Sequence, residues 1–166
     1  LDVVGMTVVA FLAAFGGGTL RDVLLDRRPF FWVEHSWYVW AVLGLCVATG
    51  AWLRGHHLAL TERAMQWPDA LGLGLFAASG TQLALAANMP PLIAVLMGVM
   101  TAVFGGVLRD VVCNEIPSAF HGHQPYAVCA FAGGWVVVAC HFLALDSGIA
   151  LALGASAASG LRLLAM

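Results

Sequence analysis

The chain has 166 residues, 61% of them hydrophobic and only 10% charged, with a mean hydropathy of +0.91. That balance lies outside the soluble globular range, so lipid is the solvent for which the sequence is built. The formal charge of -2, with all seven basic residues arginine and no polybasic run, excludes nucleic acid as a partner.

A helix rising about 1.5 Å per residue needs about 20 apolar residues to cross a hydrocarbon core of about 30 Å. Helices are the expected element, because unpaired backbone is costly in hydrocarbon and the alternation of a barrel strand is missing. The first crossing falls near residues 1–24 and carries Gly16-Gly17-Gly18-Thr19-Leu20-Arg21-Asp22-Val23, with Thr7 upstream. The second, near 36–53, holds no Asp, Glu, Lys or Arg, and Trp37, Trp40 and Trp52 lie near its ends, where amphipathic rings favour the headgroup layer. A loop with Arg54, His56, His57 and Arg63 leads to a third crossing near 67–87, which opens at Trp67 and carries Ser79-Gly80-Thr81-Gln82. Asn88-Met89-Pro90-Pro91 divides it from a fourth, near 90–112, since proline lacks a donor and disfavours helix in the residue before it.

The fourth crossing contains Thr101 and Phe104-Gly105-Gly106-Val107-Leu108-Arg109-Asp110-Val111. Cys113, Glu115, His121 and His123 follow in a loop; their spacing fits no standard zinc pattern, so no metal is expected. The fifth and sixth crossings are expected near 124–145 and 147–165. Cys46, Cys113, Cys129 and Cys140 show no CxxC spacing and read as small packing residues.

The two glycine-charge runs are copies offset by 88 positions, and the register continues through Pro29 and Pro117 to Tyr38 and Tyr126, with seven of fifteen positions identical between 16 and 30. Glycines interrupting helices at matching places in two halves are a sequence pointer to a substrate or ion path. Each glycine costs a helix roughly 1 kcal/mol relative to alanine, so Gly16, Gly17, Gly18, Gly105 and Gly106 are expected to break the first and fourth crossings and free backbone carbonyls. Close helix packing is the plainer reading. Arg21, Asp22, Arg109 and Asp110 favour a polar path, because ionisable groups at membrane depth normally face a polar interior. Neighbours on a helix point about 100° apart, so the expected pairs are crossed, Arg21 with Asp110 and Arg109 with Asp22. Thr7, Ser79, Thr81, Gln82 and Thr101 would line the passage, although most such hydroxyls bond their own preceding carbonyls.

At the repeat offset Leu1 aligns with Met89, yet the second copy has a further apolar segment, 67–87, before that point. A counterpart of about 20 to 30 residues upstream of Leu1 is therefore expected. The expected plan is an all-α membrane protein of three helices, three helices and one: a first repeat over 1–66, a second over 67–145 and a final helix over 146–166. Three helices per half insert the halves in opposite directions. Arg54, Arg63 and Arg162 on one side against Arg27 and Arg28 on the other place the C-terminus in the cytoplasm.

The GGGTLRD run at 16–22 with Pro29 and Trp32, its second copy FGGVLRDVVCNEIP at 104–117, and FAASGTQLAL at 76–85 resemble bacterial membrane proteins whose domain carries the label glycine transporter, relatives of the trimeric intracellular cation channels. The resemblance covers nearly the whole chain. It implies seven helices, a homotrimer and one pore per protomer between two kinked helices, here 1–24 and 90–112. Two departures stand out: the animal channels carry lysine after the paired glycines where this chain has Arg21 and Arg109, and Phe104 replaces the first glycine in the second copy. The expected function is a potassium-permeable monovalent cation channel in the bacterial inner membrane, in contact with lipid, without cofactor or catalysis. The alternative is a secondary transporter of a small zwitterion such as glycine, with arginine holding the carboxylate and aspartate the amine.

Overall fold

The computed structural model describes residues 3–53, 62–120 and 125–165. Its helices are α1 (Val3–Leu24), the single turn α2 (Phe31–Glu34), α3 (Trp37–Leu53), α4 (Glu62–Ala86), α5 (Pro91–Val112), α6 (Tyr126–Phe142) and α7 (Ser147–Leu164), with a 3-10 turn at Ser118–Phe120 and no strand among the described residues. Every expected crossing is a helix within a few residues of its expected ends. The two short turns were not anticipated; they occupy equivalent places in the repeat, just after Pro29 and Pro117.

By length and composition α1, α5 and α7 can each cross a membrane. At 17 residues α3 and α6 reach about 26 Å, the short end of a spanning helix. One face of α5 is buried through Ala94, Val95, Gly98, Thr101, Ala102 and Gly105, while Leu92, Ile93, Leu96 and Met100 point outward. Such an apolar outer face suits a lipid surround. Trp37, Trp40 and Trp67 are exposed near helix starts, whereas the side chain of Trp52 lies outside the described residues. Cys46, Cys129 and Cys140 are buried thiols.

The repeat is also visible in how the helices stop. In α1 the amides of Leu25 and Arg27 donate to the carbonyls of Arg21 and Asp22 around Asp26 at φ 50°; in α5 those of Cys113 and Glu115 donate to Arg109 and Asp110 around Asn114 at φ 58°. The same left-handed closure ends α4 at Asn88 and α6 at Ala144. Asn and Asp tolerate this conformation through local hydrogen bonding, and alanine does not.

Neither glycine run breaks its helix. α1 continues through Gly16, Gly17 and Gly18, and α5 through Phe104, Gly105 and Gly106. The missing side chains let two backbones touch instead: a methyl at Gly17 would run into the carbonyl oxygen of Thr101, and one at Gly105 into that of Ala13. These contacts exchange under the repeat offset and run in opposite directions along the two helices. α1 and α5 therefore cross antiparallel about a local two-fold, which is the geometry of inverted halves. α4 is set against α5, α6 and α7, again by small residues, with Gly98 over the Ala77 carbonyl and Gly74 over that of Ala155.

Gly17→Ala and Gly105→Ala should each lower stability by about 1 to 3 kcal/mol, because the new methyl meets backbone that cannot rotate away. Gly106 has open space around it, and Gly106→Ala should be neutral or gain about 0.5 to 1 kcal/mol. Thermal unfolding of the detergent-solubilised protein checks the order. Ala144→Gly should raise the midpoint in the same assay, relieving about 1 to 2 kcal/mol of left-handed strain.

Candidate functional site

Arg21 and Asp22, at the end of α1, pair with each other. Nε and Nη2 of Arg21 donate to Oδ1 of Asp22 at 2.9 and 2.7 Å. The expected crossed pair with Asp110 is thus replaced by one within the motif. The cause is the chain's return after α1: the Phe31 amide donates to the second carboxylate oxygen of Asp22 at 2.9 Å, and the Arg21 guanidinium lies 5.4 Å from the centre of the Phe31 ring. Those contacts turn both side chains toward the α2 turn, where the long arginine stem closes the angle that separates neighbours on a helix. Trp32 reinforces the turn, its indole N–H donating to Thr19 Oγ1 at 3.1 Å. Arg21 is 5% and Asp22 0% exposed. A pair so buried is not snorkelling to the surface.

The second copy repeats the pair with a more exposed arginine. Arg109 Nε donates to Asp110 Oδ1 at 2.8 Å, but its side chain is 38% exposed. Because α1 and α5 are antiparallel, the two pairs lie toward opposite ends of the crossing, one buried and one partly exposed.

Thr81 and Thr101 meet where α4 crosses α5, Thr81 Oγ1 against Gly98 and Thr101 Oγ1 against Gly80, both buried. Thr81, Thr101 and Ser79 donate to the carbonyls of Ala77, Met97 and Phe76 on their own helices, and Gln82 donates to the Ser147 carbonyl at 2.9 Å, bracing α7. Thr7 is half-buried on α1. The fold also brings together Gly18, Arg21 and Ser79, on the wall of an open cavity of about 430 Å³ with Phe15, Phe31 and Tyr38. Its equivalents in the second half, Val103, Ala119 and Tyr126 among them, pack instead against Leu73 and Ala77 of α4. The cleft between α1 and α3 is therefore the place that α4 fills between α5 and α6. His56, His57, His121 and His123 lie outside the described residues, as does Arg54.

Sequence reasoning passed over Phe31 and Trp32 as binders of the charged motif; their signal was position, two aromatics just after the repeat's proline. It also counted Arg162 only toward orientation, although a lone charge in an apolar helix was itself a signal. Arg162 is buried against the Tyr126 ring, and the Tyr126 hydroxyl donates to Asp69 at 3.1 Å.

The glycine transporter family model matches residues 1–54 and 66–142. The chain belongs to the glycine transporter family. Family relatives include a UPF0126 membrane protein of Vibrio cholerae, 36% identical over 81% of this chain and 55% of its own length, and one of Deinococcus radiodurans, 37% identical over 85% and 66%. The UPF0126 inner membrane protein YadS of Escherichia coli is 35% identical over 86% of the chain and 68% of its own length. The chain thus spans between about half and two thirds of these curated relatives. Among solved structures, the TRIC trimeric intracellular cation channel orthologue from Rhodobacter sphaeroides superposes with a TM-score of 0.90 at 38% identity, covering 99% of this chain and 83% of that one. A structure described as the basis for conductance through TRIC cation channels gives 0.88 at 31%, covering 100% and 80%. This glycine transporter family member is accordingly an all-helical integral membrane protein with the TRIC fold.

A double-mutant cycle separates the two pairing schemes. Arg21→Ala strands a fully buried carboxylate and should cost about 3 to 5 kcal/mol; coupling between Arg21 and Asp22 should exceed about 1 kcal/mol, and coupling between Arg21 and Asp110 should stay within about 0.5 kcal/mol. Arg109→Ala, at a more exposed site, should cost less. Unfolding midpoints of the singles and doubles in detergent provide the numbers.

Proposed function

We propose that the chain forms the conducting body of a monovalent cation channel, permeable to potassium, with one conduit in each protomer of a homotrimer in the bacterial inner membrane and the C-terminus in the cytoplasm. The observation that carries the reading is the antiparallel α1–α5 pair with an arginine–aspartate pair toward each end, one buried and one with its arginine partly exposed, in a fold that superposes on a TRIC cation channel orthologue at a TM-score of 0.90. The ion path follows the α1–α5 seam. Where Gly17 meets the Thr101 carbonyl and Gly105 meets that of Ala13 the seam is shut, so conduction requires the two helices to part there. Parting exposes backbone carbonyls, which replace part of an ion's hydration shell. The aspartates supply negative charge to the path, and their own arginines offset it, so that neither end is a deep ion trap.

A zwitterion carrier would need an arginine and an aspartate both open to ligand. Arg21 and Asp22 are closed on each other, which disfavours that alternative.

Single-channel recording of the full-length protein in planar bilayers with potassium chloride tests the proposal: discrete current steps of picoampere size are expected. Silent bilayers together with saturable uptake of labelled glycine into vesicles would overturn it in favour of a carrier. Chemical cross-linking in native membranes should give a ladder that stops at three subunits, and one ending at two would remove the trimer.

A further inference from the structure

Arg162 takes no part in the α1–α5 seam or in either repeated motif, and its charge is poorly matched. It sits in the last turn of α7, 5% exposed, with its Cζ 4.9 Å from the centre of the Tyr126 ring. Two of its nitrogens, Nε and Nη1, are buried without a hydrogen-bond partner, and among the described residues no carboxylate lies within ion-pair distance of it. A ring face stabilises the cation but satisfies no N–H donor.

Tyr126 is also the first residue of α6, a helix of 17 residues whose preceding residue, Pro125, provides no side-chain cap. The first intrahelical amide there is Cys129, bonded to the Pro125 carbonyl at 3.1 Å, which leaves the amides of residues 126 to 128 without acceptors inside the helix. The positive end of the α6 dipole therefore falls on the residue whose ring the buried guanidinium covers. Two positive poles on one residue favour an anion between them. The one carboxylate known to engage Tyr126, Asp69 on α4, is bound to the hydroxyl at the edge of the ring rather than to the guanidinium over its face.

We propose that the corner between the start of α6 and the end of α7 is an oxyanion site, taking a phosphate-type group held by Arg162 and the first-turn amides of α6. A planar guanidinium beside a helix N-terminus provides the directed donors that tetrahedral oxyanions take. The corner lies where one apolar helix begins and another ends, so the group comes either from an anionic phospholipid or from phosphate in solution.

The test is binding to the purified full-length protein in detergent at fixed ionic strength, read by thermal shift and by native mass spectrometry. The probes are inorganic phosphate, a short-chain phosphatidylglycerol and, as the zwitterionic control, the matching phosphatidylcholine. Saturable stabilisation by phosphatidylglycerol alone identifies a lipid site, and saturable stabilisation by inorganic phosphate as well identifies a site for the free anion; either supports the proposal. Arg162→Gln should weaken that binding by about tenfold or more, whereas Arg28→Gln, at an exposed position of the loop after α1, should leave it unchanged. If Arg162→Gln yields no folded protein, Arg162→Lys replaces it, with an expected loss of severalfold because the fork of donors is gone. No saturable binding to the wild-type protein, equal response to phosphatidylcholine, or undiminished affinity in whichever Arg162 variant folds would overturn the assignment.

Discussion

Two absent side chains set the geometry on which everything else rests. Without a Cβ at Gly17 and Gly105, α1 and α5 come together backbone to backbone, each glycine against the other helix's carbonyl. Lipid tails are as apolar as leucine, so no hydrophobic force pulls helices together inside a bilayer; close van der Waals contact has to do it. The repeat makes this economical, because one sequence motif used twice yields two reciprocal contacts about one axis. The remaining small-residue contacts, such as Gly98 on Ala77 and Gly74 on Ala155, extend the same principle outward to α4 and α7.

Charge at membrane depth is tolerated because each motif carries its own counter-ion. Arg21 and Asp22 are adjacent in sequence, so no folding event has to bring distant partners together before the charge is neutralised. The α2 turn then supplies the missing donor, through the Phe31 amide, and an aromatic lid over the guanidinium. The second copy has alanine at the position of Phe31, Ala119, and its arginine is correspondingly more exposed. A repeated motif thus gives two ends of different exposure.

Much of the fold was legible because lipid demands long uncharged segments, and six of them were marked off by charges, prolines and tryptophans. The offset of 88 carried the inverted relation, which the contacts of Gly17 and Gly105 express. The partners of the charges were not legible. Reasoning from helical angles alone put Arg21 on Asp110, because it treated side chains as short rods and ignored the returning chain at Phe31 that reorients Asp22. The glycines were misread for a related reason: their cost to an isolated helix suggested a break, but in place that cost is offset by the contact they permit. Thr81 and Thr101 looked like pore dipoles in sequence, and only the identity of their acceptors, Ala77 and Met97, shows them bound to their own helices.

The left-handed residues Asp26, Asn88, Asn114 and Ala144 fix where four helices stop. Each end is closed by amides that fold back onto the last turn's carbonyls, so the crossing lengths are written into the chain and cannot stretch to suit their surroundings. In α6, with 17 residues, that length falls short of a typical hydrocarbon core. The bilayer is the softer partner: thinning around the α6 flank costs only a fraction of a kcal/mol per Å of mismatch. Membrane thickness thereby becomes a mechanical load on the bundle, one that changes with lipid chain length and temperature without any ligand being bound.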